Sequence, residues 1–581
     1  MSHFDLSRRQ FVAAASATGV ALAAGMASGV LAQDVGTPAA DDTEADAGVQ
    51  VPATPVAAGP VIPPEMEQTE GNWVTENGNY AATRSAEGST IDSGTIADLG
   101  VAWRLPLQAS GAYGAMTASP IVLDDVVFVQ DMASNVTALR KETGEVLWHN
   151  EYNVPTVGPN GLAVGYGYLV FPLGDTAEVV CVKQESGEEV WRVKLSNNMG
   201  EGVDMAPLIH DNTVYVSTVP GNTNVFYRGG QKGIIYALDI TSGHTIWQFD
   251  TTTDNLWGNF RVNSGGGLWH PPSVDEEGNL YVGIGNAAPY PGNQEYPAGS
   301  SRPGDNDYAN SIIKIDPQEG RAEWYINVKP HDLFDLDNQL TPVLADVNGI
   351  PMVFTSGKHG YVVGINRETG EEIWRTAVGQ HENDELTELP DDEYIKVLPG
   401  TLGGVETPIA YANGMVFAPV FNMASYYSAS EMDPSSIDIA SATGQLVALD
   451  AATGEIIWDV AQPTGTLAAA TVVNDLVFTG GLDGVLRAYR VVDGSEVWSF
   501  QASAGLNAPI AVAGDYIFVP AGAAFIPSED TWNPAPEPAT ELIALKLGGE
   551  IQTPPEAAAS PEADASPAAG ADGSTLSVNA I

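Results

Sequence analysis

Ala448-Leu449-Asp450-Ala451-Ala452-Thr453-Gly454-Glu455-Ile456-Ile457-Trp458 is the stretch that decides the fold of this chain. An apolar strand runs into a Thr-Gly turn, and a second apolar strand closes on an indole. The same pattern returns as Ala138-Leu139…Gly144…Trp148, Cys181-Val182…Gly187…Trp191 and Ala237-Leu238-Asp239…Gly243…Trp247. It returns again as Ile315-Asp316…Gly320…Trp324, Gly364-Ile365-Asn366…Gly370…Trp374 and Ala488-Tyr489…Gly494…Trp498, and a degenerate copy ends in Val101-Ala102-Trp103. Before each copy lies another alternating strand, such as Val126-Val127-Phe128-Val129. Four short strands in a period of about 40–50 residues describe a β-propeller blade. A blade cannot bury both faces alone, so the tryptophan fills the wedge against its neighbour. Eight such tryptophans predict an all-β, eight-bladed propeller over residues 71–548. The closing strand is expected at Glu541-Leu542-Ile543-Ala544-Leu545, paired with sequence near Asn72–Tyr80 or with the first blade.

Two gaps between tryptophans, Trp247 to Trp324 and Trp374 to Trp458, are longer than the rest. They hold the inserts Ala287–Tyr308, rich in Pro and Gly, and His381–Pro399, rich in acids. Long loops on a rigid propeller carry function more often than they carry stability.

Composition narrows the function. The chain has 581 residues, with 23 Lys+Arg against 74 Asp+Glu and a net charge of −51. Phosphate binding runs on Lys and Arg, so nucleic acid and anionic membrane surfaces are excluded as partners. The single cysteine, Cys181, excludes an internal disulfide, a thiolate zinc cluster and covalent haem through C-x-x-C-H. No Ser/His/Asp arrangement or histidine cluster points to a hydrolase. Residues 1–32 read as a twin-arginine signal peptide: Ser7-Arg8-Arg9-Gln10-Phe11-Val12 precedes a weakly apolar Ala/Gly run. That predicts export to the periplasm or beyond, without membrane insertion of the mature chain. Residues 33–70 and 549–581, built from Pro, Ala and acidic residues, read as a disordered linker and a disordered tail.

Further motifs sit between the blade repeats. They are Gly265-Gly266-Gly267-Leu268-Trp269, then Tyr281-Val282-Gly283-Ile284-Gly285-Asn286, then Arg302-Pro303-Gly304-Asp305-Asn306. Pro330-His331-Asp332-Leu333-Phe334-Asp335 and Ser356-Gly357-Lys358-His359-Gly360-Tyr361 follow. Together with the Ala-Leu-Asp-x-x-Thr-Gly-Glu-x-x-Trp repeat, these resemble the quinoprotein alcohol dehydrogenases, which use pyrroloquinoline quinone (PQQ). The resemblance covers residues 100–548. It implies PQQ and a Ca²⁺ or lanthanide ion as cofactors, a small alcohol or sugar as substrate, and an external electron acceptor.

What it implies residue by residue has a physical counterpart. A flat tricyclic quinone needs an apolar floor, which Trp269 would supply; the same indole could simply plug the central channel. A hard cation wants oxygen ligands, and Asn286 and Asp335 offer them. Asp335 could also take the alcohol proton as general base, or could cap a turn. Lys358 could stabilise negative charge on the reduced quinone or serve as a plain hairpin residue. Asp337 lies two residues beyond Asp335, on the same face of a strand by period-2 alternation, and resembles the extra ligand of lanthanide-dependent members.

Several positions depart from the family pattern. The metal-binding Glu falls on Asn222, a second Glu on Thr117, and the Arg that would clamp a quinone carboxylate on Asn160. An expected Asn-Trp pair is Val405-Glu406, where Glu406 is either a substitute polar contact to the cofactor or a rim acid. The adjacent cysteine pair of some members is absent. Two readings follow: an exported quinoprotein-like dehydrogenase, or a non-catalytic propeller acting as a binding or scaffold protein.

Overall fold

A computed structural model describes residues 62–67, 70–108, 114–523 and 539–551. The signal peptide, most of the linker and most of the C-terminal tail lie outside the described residues. Within them, eight blade sheets follow one another around an axis: seven are four-stranded and antiparallel, and blade 7 adds a short fifth strand, Ser85–Ala86, in parallel to its innermost strand Thr471–Val473. Blade 1 is Ile121–Leu123, Val126–Gln130, Val136–Arg140 and Val146–Asn150, ordered from the axis outward. Blade 5, which carries much of the site, is Val343–Val347, Ile350–Ser356, Tyr361–Asn366 and Glu372–Ala377. Innermost strands touch between blades 2 and 3, 4 and 5, 5 and 6, and 6 and 7, and those of blades 1 and 8 meet to close the ring.

Closure differs in detail from expectation. Glu541–Leu547 pairs with Tyr516–Ala521 on one side and with Leu99–Pro106 on the other. Three strands of blade 8 come from the C-terminal end, and the N-terminal strand bearing Trp103 completes it from outside. Residues 73–86 take another path and run across the axis. Trp73 pairs with Val122 of blade 1, and the carbonyls of Tyr80, Ala81, Thr83 and Arg84 accept from the innermost strands of blades 4, 5, 6 and 7. The Arg84 guanidinium adds Ala470, Thr471 and Ile510, tying in blade 8. One short segment thereby links most of the ring from inside, which no local pattern could announce.

Pro64–Glu67 forms a 3₁₀ turn, Met66 is buried, and Glu65 accepts from the amides of Tyr166 and Gly167 in blade 2. At the other end Glu550 bridges to Val101. Contacts with the ring thus extend into both stretches that composition reads as linker and tail.

The repeat's physical purpose is visible at seven of the eight junctions. The indoles of Trp103, Trp148, Trp191, Trp247, Trp324, Trp374 and Trp458 each donate Nε1–H to a backbone carbonyl of the next blade, at 2.7–3.2 Å. Each also covers the turn glycine of that blade. A Cβ on Gly454, for example, would lie 2.5 Å from the Trp374 ring, and Gly454 holds φ +73°. Glycine is required there for both its conformation and its bareness.

Candidate functional site

The residues just ahead of each innermost strand converge at one end of the axis. Thr117, Pro159, Trp269, Gln339, Glu406 and Asn507 come from six different blades and line one cavity, whose empty volume is about 1000 Å³ and partly open to solvent. Leu402, Phe421, Ile439 and Leu467 form an apolar wall. Part of that wall, around Ile439, belongs to a second insert in blade 6, residues 423–442, which the sequence reading did not single out. The acidic insert contributes Ile395–Val397, paired with Ser425–Tyr427.

Asp335, Asp337 and Lys358 meet beside this cavity. Lys358 Nζ lies 3.1 Å from Asp335 Oδ2 and 2.8 Å from Asp337 Oδ2, and all three side chains are buried. Two glycines permit the approach: a Cβ on Gly357 would lie 2.1 Å from the Asp337 carbonyl, and one on Gly404 2.2 Å from the Lys358 carbonyl. The two acids do not share a strand face, contrary to expectation. Residues 329–342 form no strand, and Asp335 sits at φ +66°. A non-glycine residue held there stores roughly 1–3 kcal/mol of strain, which its surroundings must offset. Thr401 Oγ1 donates to Asp335 Oδ2 at 2.6 Å, leaving Asp335 Oδ1 buried without a partner.

Asn286 joins the cluster through its backbone N–H, which donates to Asp337 Oδ1. Its side-chain Oδ1 accepts from the Tyr227 hydroxyl at 2.5 Å. Trp269 is buried, with Val157, Val219 and the partly buried Phe226 as neighbours. Its indole packs over Gly285, whose Cβ would lie 3.0 Å from Nε1, and Nε1 has no hydrogen-bond partner. Trp269, Asn286, Asp335, Asp337 and Lys358 are therefore brought together. Glu406 faces the same cavity; Gln339 Nε2 reaches its Oε2 at 3.4 Å, and Oε1 is unpartnered.

Asn222 is not brought in. Its Oδ1 accepts from the amides of Asn224 and Val225, both at 3.0 Å, closing a turn of its own. Thr117 and Asn160 meet each other at 3.4 Å, and Asn160 Nδ2 donates to the Asp131 carbonyl. The residues that sequence reasoning missed are Tyr227, Thr401 and Gln339. None stands in a recognisable motif; each reaches the site from a loop whose path depends on its neighbours.

Electrostatics follows from burial. Two carboxyls share one ammonium, so burial pushes both Asp335 and Asp337 up, while Lys358 opposes the shift. Burial acts against the Lys358 ammonium, but Asp335, Asp337 and Glu406 outweigh it and hold the amine well above its usual range. Glu406 is raised to about 7 by burial, against the opposing pull of Lys358 and with a smaller push from Asp337. His270, beside Trp269, is lowered to about 3 by burial and by Arg84, so its imidazole is neutral.

Residues 73–388 match the family described as glucose/ethanol/alcohol dehydrogenase, beta-propeller domain. The chain belongs to this PQQ-dependent alcohol dehydrogenase-like β-propeller family. Residues 433–542 also match the model of the outer membrane protein assembly factor BamB. The quinohemoprotein alcohol dehydrogenase ADH IIB of Pseudomonas putida is 25% identical over 575 residues, covering 85% of this chain and 80% of its own. The lanthanide-dependent methanol dehydrogenase of Methylacidiphilum fumariolicum is 23% identical, with 76% and 82% covered. Among solved structures, the quinohemoprotein alcohol dehydrogenase of Comamonas testosteroni superposes with a TM-score of 0.71 at 20% identity, covering 84% of this chain and 82% of that one. That likeness supports the fold.

Proposed function

We propose that this protein is an exported quinoprotein dehydrogenase that oxidises an alcohol or sugar hydroxyl and passes the electrons to an external acceptor. The observation that carries the proposal is the convergence of an unpaired indole, Trp269, with Asp337 and Lys358 on one cavity, beside which Lys358 holds Asp335, whose Oδ1 is buried without a partner. The cavity fits PQQ in kind: a flat apolar floor on one side, an apolar wall on the other, and Lys358, Glu406 and Gln339 as polar contacts. Asn286, Asp335 and Asp337 offer the hard oxygens that Ca²⁺ or a lanthanide requires. Among the described residues there is no cluster of three or more His, Cys, Asp and Glu that could hold an ion, so the amide of Asn286 is needed to complete the set.

PQQ, when bound, supplies an electrophilic carbonyl that accepts the hydride leaving the alcohol carbon. The protein's share is proton handling and positioning. Thr401 and Lys358 occupy Asp335 Oδ2, so Oδ1 is the oxygen left to accept the substrate's hydroxyl proton. Burial keeps that carboxyl more basic than a free aspartate, which suits a general base. The Lys358 ammonium, held charged by its neighbours, offsets negative charge that develops nearby.

The test is a titration of the purified protein with PQQ, with and without Ca²⁺ or La³⁺, followed by absorbance and by dye reduction with a panel of alcohols. Saturable quinone binding with alcohol-dependent reduction, lost in Asp335→Ala, supports the proposal. The second reading, a scaffold that has lost the cofactor, has one observation in its favour: among the described residues, Lys358 is the only Lys or Arg lining the cavity. Failure of the quinone to bind under every cation would select it.

A further inference from the structure

We infer that Asp332 is a positioning residue for Asp335, resting on the proposal that Asp335 acts at the site. The Asp332 carboxylate accepts from the amide of Phe334 at 3.0 Å through Oδ1 and from the amide of Leu336 at 2.8 Å through Oδ2. Those two amides flank Asp335 on either side. The Leu336 bond fixes the 335–336 peptide plane and the Phe334 bond the 333–334 plane, while the Tyr427 hydroxyl holds the plane between them through the Phe334 carbonyl; together they keep Asp335 at φ +66°, a conformation an aspartate leaves readily when nothing restrains it.

The bracket is itself anchored from three directions. Arg302 donates to the Asp332 carbonyl and, from the same nitrogen, to the Pro289 carbonyl at 3.0 Å. Tyr427 donates to the Phe334 carbonyl at 2.8 Å, and Asn310 to the Leu336 carbonyl at 2.9 Å. Arg302, Asp332, Asn310 and Tyr427 are all buried. The two long inserts therefore act on the site indirectly: Arg302 belongs to one, and Tyr427 pairs with the other. Without the bracket, residue 335 would relax toward extended backbone and carry its carboxyl away from Thr401 and Lys358.

The experiment compares wild type with Asp332→Ala and Asp332→Asn by crystallography, PQQ titration and dye-coupled kinetics. In Asp332→Ala, Asp335 should leave the left-handed region, and kcat should fall about 100-fold, the scale of a misplaced reacting group. KM and quinone affinity should stay within about threefold, a split that general unfolding would not produce. Asp332→Asn keeps one acceptor and should fall between the two; it also carries the comparison if the alanine variant does not fold. A variant that keeps Asp335 at positive φ, or one with wild-type kcat, overturns the inference. If wild type binds no PQQ, the proposed function falls, and the crystal structures alone decide whether Asp332 sets the Asp335 backbone.

Discussion

Lys358 Nζ lies 2.8 Å from Asp337 Oδ2, with both side chains buried, and the same ammonium also serves Asp335. This lysine is the charge partner of two acids at once. Removing one member of a buried ion pair leaves the others uncompensated, at about 3–5 kcal/mol. Lys358→Met should lose stability on that scale in a urea titration. The freed carboxylates should also bind Tb³⁺ at least about tenfold more tightly than wild type, since tenfold corresponds to about 1.4 kcal/mol of removed repulsion. Indole-sensitised luminescence reads this directly, and equal affinities would refute the counter-ion role.

Trp269→Ala tests the floor. Loss of an aromatic stack is worth roughly 0.5–1.5 kcal/mol beyond buried area, so quinone affinity should drop about tenfold or more. Trp498, a blade-junction indole remote from the cavity lining, provides the control. A Trp498→Phe protein should bind quinone as wild type does.

Stability should fall between pH 5 and pH 8. Burial raises Glu76 from 4.5 to about 7 and Asp204 from 3.8 to about 7. Between the unfolded and folded values the native state keeps a proton that the unfolded chain has released, so raising the pH favours unfolding. The contribution is fully present below the unfolded values and gone above about pH 7. For Glu76 alone the change amounts to about 3 kcal/mol. Denaturant midpoints at the two pH values check the sign, and Glu76→Gln should shrink the difference.

Blade junctions should be sensitive in pairs. Trp374→Ala removes a buried indole and should cost about 3–5 kcal/mol. Gly454→Ala attacks the same contact from the other side, placing a methyl 2.5 Å from the ring at φ +73°. Thermal and urea unfolding of both single variants and the double variant should show that the two losses are not additive.

The eightfold ring was legible in the sequence because its cause is local and repeated. Each strand–turn–strand unit carries its own glycine and its own indole, so Gly454 and Trp458 declare themselves within five residues. Trp269, Asn286, Asp335 and Lys358 became candidate site residues in the sequence only through motif resemblance. Only the tertiary structure decided which of them meet: Asn222 turned its amide onto its own loop, and Tyr227, unmarked by any pattern, took the Asn286 oxygen. The same holds for the ring's closure by Leu99–Pro106 and for Asp335's left-handed backbone. These depend on hydrogen bonds between segments far apart in the chain, and no periodicity along the sequence encodes which distant carbonyl a given side chain will find.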